Sequence, residues 1–402
     1  TDLCMVGLDI GSSKVSAVVG KLDAQVEGKV NVLGVGCVEN EGVRHGEIVN
    51  LEKTSKAVRL ALDNAGRQAS IHITTALTGL SGEKIKSYRD STSIIISPSP
   101  RQIQAADVRR LHEEIHRCPT PQGAQIIHAL PTSYRVDEHR DIPDPIGMSG
   151  IRLNGEYLIV TVPRQSVNNQ ITCVRNAGVS LTEIVLQPLA SSYAVLNQEE
   201  MMDGVCLVDI GAGTTGLSIF HNGILEHTAV IPLGSRNITE DIRMGCNLLS
   251  QKAERLKISF GQAIPPTPEN DAIIDIEGTR DNISRQIRLT TLSKIIMYRV
   301  IELAKFVQTE VVRSGLERQL NSGLVLTGGG ANLRFITDVF ELTTGLRTRV
   351  GYPTEHLLQG LVDQVNNPAY ATAVGLVVYA LKHSDPIQPS VSSSEPNPNR
   401  SI

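Results

Sequence analysis

A strand, an acidic turn and a second strand occur twice, far apart, in this chain. Residues 3–20 read LCMVGLDIGSSKVSAVVG and residues 205–220 read VCLVDIGAGTTGLSIF, so Asp9 aligns with Asp209. Each copy has two apolar, β-branched runs around a short glycine-bearing tip, the pattern of a hairpin. A unit repeated at so long an interval predicts two related domains, and 402 residues give length for two or three cores.

Composition narrows the function classes. The chain is 41% hydrophobic and 20% charged, ordinary values for a folded globular protein. A net charge of −4 supplies no positive field for phosphate backbones, and 3% aromatics with no Trp leave few stacking platforms, so no nucleic-acid partner is expected. Cys4, Cys37, Cys118, Cys173, Cys206 and Cys246 are scattered without a C-x-x-C pair, which points to reduced thiols in a cytoplasmic setting. No run of about 18 apolar residues appears, so no membrane-crossing segment is expected.

Between the two hairpins the texture changes. Asn50 is placed to cap a helix that Gly66 would stop. From residue 82 to 163, strand, helix and proline-punctuated patterns, including DPIGMSG at residues 144–150, form a compact α+β piece that reads as an insertion. After the second hairpin, helices are expected near residues 237–244, 249–260 and 284–313. A buried strand at 324–327 then runs into Gly328-Gly329-Gly330, followed by helices near 332–342 and 368–381. Residues 384–402 are rich in Ser, Pro and Asn and read as a solvated linker or tail.

Three glycine turns therefore follow apolar strands, at Gly11, at Gly211-Ala212-Gly213 and at Gly328–Gly330. Small residues let successive main-chain N–H groups approach an anion closely. Asp9 and Asp209 end their strands where a carboxylate can hold a hydrated Mg²⁺ beside phosphates. Lys14 is placed to neutralise phosphate charge, and Ser12, Ser13, Thr214 and Thr215 offer hydroxyls. Neither G-x-x-x-x-G-K-[ST] nor G-x-G-x-x-G is present. Facing hairpin tips imply another cradle, in which two domains clamp one nucleotide.

The paired DIG hairpins, Ala253-Glu254-Arg255-Leu256-Lys257 and LVLTGGGANL resemble the actin/Hsp70/sugar-kinase superfamily. Within it, GLDIGSSKVSAVVG, DPIGMSGIRL, LASSYAVL and YATAVGL are most similar to the FtsA family of bacterial cell-division proteins. That resemblance implies an α/β, actin-like two-lobed ATPase fold built from duplicated RNase H-like domains, with a small α+β subdomain inserted. Its subdomains would be 1A (1–81, 164–189 and 366–383), 1C (82–163), 2A (190–245 and 316–365) and 2B (246–315). ATP with Mg²⁺ would lie between the lobes, with Glu254 at the ribose, Lys257 at the adenine side, and Gly328–Gly330 lining the adenosine pocket. Gly234 and Asn332 belong to the same expected set.

The resemblance further implies a protein that polymerises with itself, binds the C-terminal tail of the tubulin-like FtsZ, and recruits later division proteins through the insert. Arg299 and Glu302, on the long helix, fall where the tail contact is expected. The location implied is the cytoplasmic face of the inner membrane at the division site. Membrane contact would come only through a C-terminal amphipathic helix, of which residues 384–402 show no counterpart. Two departures touch the second hairpin. Gly216 stands where related ATPases carry a carboxylate, so nucleotide binding with at most weak hydrolysis is expected, and Ala212 replaces a usual glycine.

Rival readings are a small-molecule kinase of the same superfamily and an actin-like adaptor of a pilus machine. The kinase lacks a carboxylate base in the second hairpin tip. DPIGMSG and the length of the insert weigh against the adaptor. His112-Glu113-Glu114-Ile115-His116 satisfies H-E-x-x-H. Its flanking Arg109, Arg110 and Arg117 favour a solvated helical face over a metal site.

Overall fold

The computed structural model describes residues 4–23, 26, 29–276, 285–353 and 356–383; the expected linker at 384–402 lies outside them. The repeat read from the sequence becomes two sheets of the same design. In lobe I, Cys4–Ile10, Lys14–Leu22 and Val30–Glu39 form an antiparallel meander. Thr75–Leu80 and Ser180–Leu186 then add parallel strands beside the first. In lobe II the meander is Val205–Ile210, Thr215–His221 and Ile224–Ile231, and the parallel additions are Leu324–Thr327 and Thr348–Val350. Lobe I carries one more edge strand, Leu357–Gly360. Several of these strands are buried almost throughout, as Leu8, Leu207 and Leu326 illustrate, because helices cover the sheets on either face.

Two helices bury nearly every residue, so neither shows an amphipathic stripe. They are Gln187–Val195 and Ala371–His383, which pack against each other and contribute to a core shared by both lobes. The chain thus returns to lobe I after building lobe II. The insert is a four-stranded antiparallel sheet of His139–Ile142, Ala124–Val136, Arg152–Pro163 and Lys86–Ile95, covered by the helix Ala105–Ile115. It interrupts lobe I between Thr75–Leu80 and the helix Arg164–Asn176.

Some local expectations shift. Asn50 does cap Leu51–Ala69, its side chain accepting from the Lys53 amide at 2.9 Å. The helix passes through Gly66, however, and ends at Ser70 in a left-handed conformation with φ of 54°. The long helix begins at Leu289 and not near 284, because Arg285–Arg288 pairs as a strand with Ile273–Ile276. Ile336–Thr344 is preceded by a short 3₁₀ turn at Gly329–Asn332.

Candidate functional site

The two hairpins point their tips at one another across a cleft, and their construction is the same. In the first, the Gly11 amide donates to the Lys14 carbonyl at 2.9 Å; in the second, the Gly211 amide donates to the Thr214 carbonyl at 2.9 Å. Asp9 pairs with Ser16 in register, and Asp209 with Gly216. The space between holds about 740 Å³, open solvent included. Asp9, Gly11, Ser12, Ser13 and Lys14 line one wall; Asp209, Gly211, Ala212, Gly213 and Thr214 line the other; Gly328 and Gly329 close a side.

Both carboxylates are half-buried in the cleft wall and are restrained by neutral donors. Gln187 Nε2 donates to Asp9 Oδ1 at 2.7 Å. Ser191 Oγ and Thr372 Oγ1 donate to Asp209 Oδ2 at 2.5 and 3.2 Å. Burial pushes the Asp9 carboxyl up to about 7, helped by the negative charge of Asp209 and opposed by Lys14 and Gln187. Burial likewise raises Asp209 above the carboxylate range, against the pull of its two hydroxyl donors. Partly desolvated acids without a cationic partner in contact form an environment that a divalent cation would relieve, and carboxylate oxygens are hard ligands suited to Mg²⁺.

The third glycine cluster packs tightly against the strand that carries Asp209. Gly328 has φ of +80°, a conformation costly for other residues, and a Cβ there would collide with Asp209 Oδ1 and the Ile210 carbonyl. Lys14 carries its ammonium over the Tyr370 ring, 4.2 Å from the centroid.

The lobes also touch directly at the tips. Arg236 donates from lobe II to the Ser12 carbonyl, and His45 Nδ1 donates from lobe I to the Gly213 carbonyl at 3.0 Å. A carbonyl only accepts, so the proton of a neutral His45 sits on Nδ1. Ser81 Oγ lies 3.2 Å from Thr214 Oγ1.

Other expected residues stand outside the cleft wall. Thr215 is fully buried and donates to the Leu233 carbonyl at 2.8 Å, so its hydroxyl does not face the cleft. Gly330 packs against Ile210. The Gly234 amide donates to Asn237 Oδ1 at 3.0 Å, beside Ser235, which does line the cleft. Asn332 bonds to Asn367 Oδ1 at 2.9 Å. Glu254 and Lys257 pair at 2.9 Å next to the cleft, and Lys257 Nζ also donates to the Ser235 carbonyl at 3.1 Å and to Thr239 Oγ1 at 2.9 Å. Burial draws the Lys257 ammonium below its ordinary value, opposed by Glu254.

Arg299 is not a free basic contact: Asp241 holds its guanidinium in two bonds at 2.6 and 2.9 Å, and Glu302 holds it as well. His112 and His116 sit on one face of the insert helix with ring centroids 4.8 Å apart. Among the described residues, no group of three or more His, Cys, Asp or Glu is placed to hold a metal.

Sequence reasoning missed Gln187, Ser191, Thr372, Ser81, Gly46, His45 and Arg236.

Duplicated meander-plus-parallel sheets whose hairpins meet over one cleft define an actin-like two-lobed protein carrying an inserted α+β subdomain. The likeness extends to solved structures: the PilM-PilN type IV pilus biogenesis complex has a TM-score of 0.68 at 17% identity, covering 95% of this chain and 99% of that one. MreB5 of Spiroplasma citri bound to ADP has a TM-score of 0.55 at 13% identity, covering 94% and 95%. In sequence, the family model for cell division protein FtsA matches residues 206–375, and that for the SHS2 domain inserted in FtsA matches residues 82–161. Cell division protein FtsA of Pseudomonas aeruginosa is 36% identical over 97% of this chain and 92% of its own. The Bacillus subtilis protein is 33% identical over 94% and 84%. The chain belongs to the FtsA family of cell-division proteins.

Proposed function

We propose that the cleft binds ATP with Mg²⁺ and that the nucleotide-loaded chain assembles with itself, linking FtsZ to the membrane during division. The observation that carries the nucleotide reading is the pair of half-buried carboxylates lining the cleft, Asp9 and Asp209, one from each hairpin and neither neutralised by a contacting cation. A bound Mg²⁺ would supply the missing positive charge between them and the phosphates. The chain's own part is to present Lys14, the Ser12, Ser13 and Thr214 hydroxyls and the main-chain N–H groups of the tips to the phosphate tail. Glu254 and Lys257, already positioned through Ser235, would meet the nucleoside at the cleft's edge.

Hydrolysis would be weak. The second tip offers no carboxylate at Gly216, and Pro188 occupies the space beside it, with ring atoms 2.9 to 3.1 Å from where a Cβ would lie. The subdomain boundaries expected from the resemblance belong to the same reading. So do recruitment of later division proteins by the insert, binding of the FtsZ tail near Arg299 and Glu302, and residence on the inner face of the membrane. No helix among the described residues is long and apolar enough to cross a membrane.

Calorimetric titration with MgATP, electron microscopy on lipid monolayers, and anisotropy of a labelled FtsZ tail peptide test the three parts. Saturable binding, filaments and peptide binding are expected. A protein that binds no nucleotide and forms no filament in any condition sinks the proposal.

A further inference from the structure

The turn formed by Asn367, Pro368, Ala369 and Tyr370 touches both lobes of the cleft. On the lobe II side, the Gly328 amide donates to the Pro368 carbonyl at 3.1 Å, and Asn332 Nδ2 donates to Asn367 Oδ1 at 2.9 Å. Asn367 Oδ1 also accepts from the Ala369 amide at 2.9 Å, and the Tyr370 amide donates to the Asn367 carbonyl at 2.9 Å, which rigidifies the turn. Pro368 and Ala369 line the cleft itself. Two residues on, Thr372 donates to Asp209. On the lobe I side, the Tyr370 ring lies under the Lys14 ammonium.

An ammonium over an aromatic face is attracted by the ring quadrupole, and the attraction grows when both groups are partly withdrawn from water. Tyr370 is half-buried, and its phenol is pushed up to about 12 by burial and by Cys37 beside it, so the ring stays neutral. Lysine has four rotatable bonds, and an unrestrained ammonium would sample much of the cleft mouth. A ring fixed by a hydrogen-bonded turn removes that freedom before any ligand arrives.

We infer that Tyr370 is a positioning residue for Lys14: its ring pre-places the ammonium at the phosphate end of the cleft, and the turn carrying it ties that placement to the glycine cluster of lobe II. This rests on the reading of the cleft as a nucleoside triphosphate site. The ligand affected is the phosphate tail and not the base, because Tyr370 acts through Lys14 alone.

The test measures ATP and adenosine affinity of the full chain by calorimetry, with fluorinated phenylalanines incorporated at position 370 alongside Tyr370→Phe and Tyr370→Leu. The fluorinated rings keep the shape while weakening the quadrupole, so folding is preserved in the series. ATP affinity is expected to fall stepwise with fluorination, reaching about 3- to 10-fold in the most fluorinated ring and in Tyr370→Leu, the range of a partly desolvated cation–π contact. Adenosine affinity stays constant across the series, and Tyr370→Phe restores what Tyr370→Leu loses. In a Lys14→Ala background the same changes have no further effect.

A flat ATP response, or an equal loss for adenosine, or a loss that persists without Lys14, overturns the inference while leaving the nucleotide reading intact. Failure of the unaltered protein to bind ATP overturns both.

Discussion

The Gln187 amide donates to Oδ1 of Asp9 at 2.7 Å, so the helix shared by the two lobes steadies the carboxylate of the first hairpin. Gln187 stands at the start of that helix, Ser191 one turn later holds Asp209, and the same helix therefore fixes the distance-sensitive pair from behind. The two carboxylates are thus held in place before any ligand arrives.

Burial of Asp9 makes a pH-dependent stability prediction for the nucleotide-free protein. The folded value, about 7, exceeds the ordinary 3.8, so the neutral acid is the favoured buried form. Its contribution is complete below about pH 4 and is lost as pH rises through 7, at a cost of at most about 4 kcal/mol. Asp9→Asn is expected to unfold at a higher temperature than the wild type at pH 8 without nucleotide, with the gap closing toward pH 4. The same variant loses MgATP binding. Thermal scans across pH, with and without MgATP, check both arms; a wild type more stable than Asp9→Asn at pH 8 without ligand would contradict the account.

Restoring the carboxylate that related ATPases carry should damage the protein and not improve it. Gly216 faces Pro188, and a Cβ would lie 2.9 Å from its Cγ. Gly216→Asp forces that ring to move, and overpacking of this kind costs about 1–3 kcal/mol. Because Pro188 follows Gln187, the displacement also disturbs the bond to Asp9. Gly216→Asp is expected to lower the melting temperature and weaken MgATP binding with no gain in phosphate release, whereas Pro188→Ala with Gly216→Asp recovers part of the stability.

The hairpins were legible because each is a local pattern: apolar, β-branched runs on either side of Asp-Ile-Gly specify strand, turn and strand without help from the rest of the chain. Gln187, Ser191 and Thr372 were not legible as site residues, since their helices acquire a polar role only when tertiary packing brings them behind the hairpins. Thr215 misled for a related reason: a hydroxyl next to the tip reads as a donor to the cleft, but strand alternation turns it toward the Leu233 carbonyl. Arg285–Arg288 was read as helix because its pattern runs straight into Leu289, and only the partner strand Ile273–Ile276 distinguishes it. Arg299 was read as a basic contact from its type and place, but its two carboxylate partners come from three residues along the helix and from another helix, and the second is invisible in the chain order.

Contacts between the tips make a prediction about cleft motion. His45 adopts a left-handed backbone with φ of 46° and reaches Gly213, while Arg236 reaches Ser12 in the opposite direction. Arg236→Ala and His45→Ala each remove one link worth about 0.5–1.5 kcal/mol. Amide exchange at residues 11–14 and 211–214 is expected to quicken in the nucleotide-free variants and to return to wild-type rates under saturating MgATP. Unchanged exchange in the double variant would show that the tips are held by other means.

The insert gives the last prediction, because it reaches beyond the lobe that carries it. Its strand Lys86–Ile95 meets the third meander strand of lobe II: Ser87 Oγ donates to the Thr228 carbonyl at 2.6 Å, and Arg89 pairs with Glu226 at 2.5 Å. Glu226 is 16% exposed and Arg89 56%, so the pair is partly screened and contributes about 0.2–1 kcal/mol. Breaking it therefore should not unfold the protein. Glu226→Arg sets two cations against each other and should loosen the insert from lobe II, while adding Arg89→Glu restores the attraction in reverse. Crosslinking between cysteines introduced at Ser87 and Ala229, where Ser87 reaches the Thr228 carbonyl, reads the separation directly. Yield is expected to drop in Glu226→Arg and to recover in the double reversal, with melting temperatures nearly unchanged throughout; equal yields in all three proteins would mean that strand packing alone sets the contact.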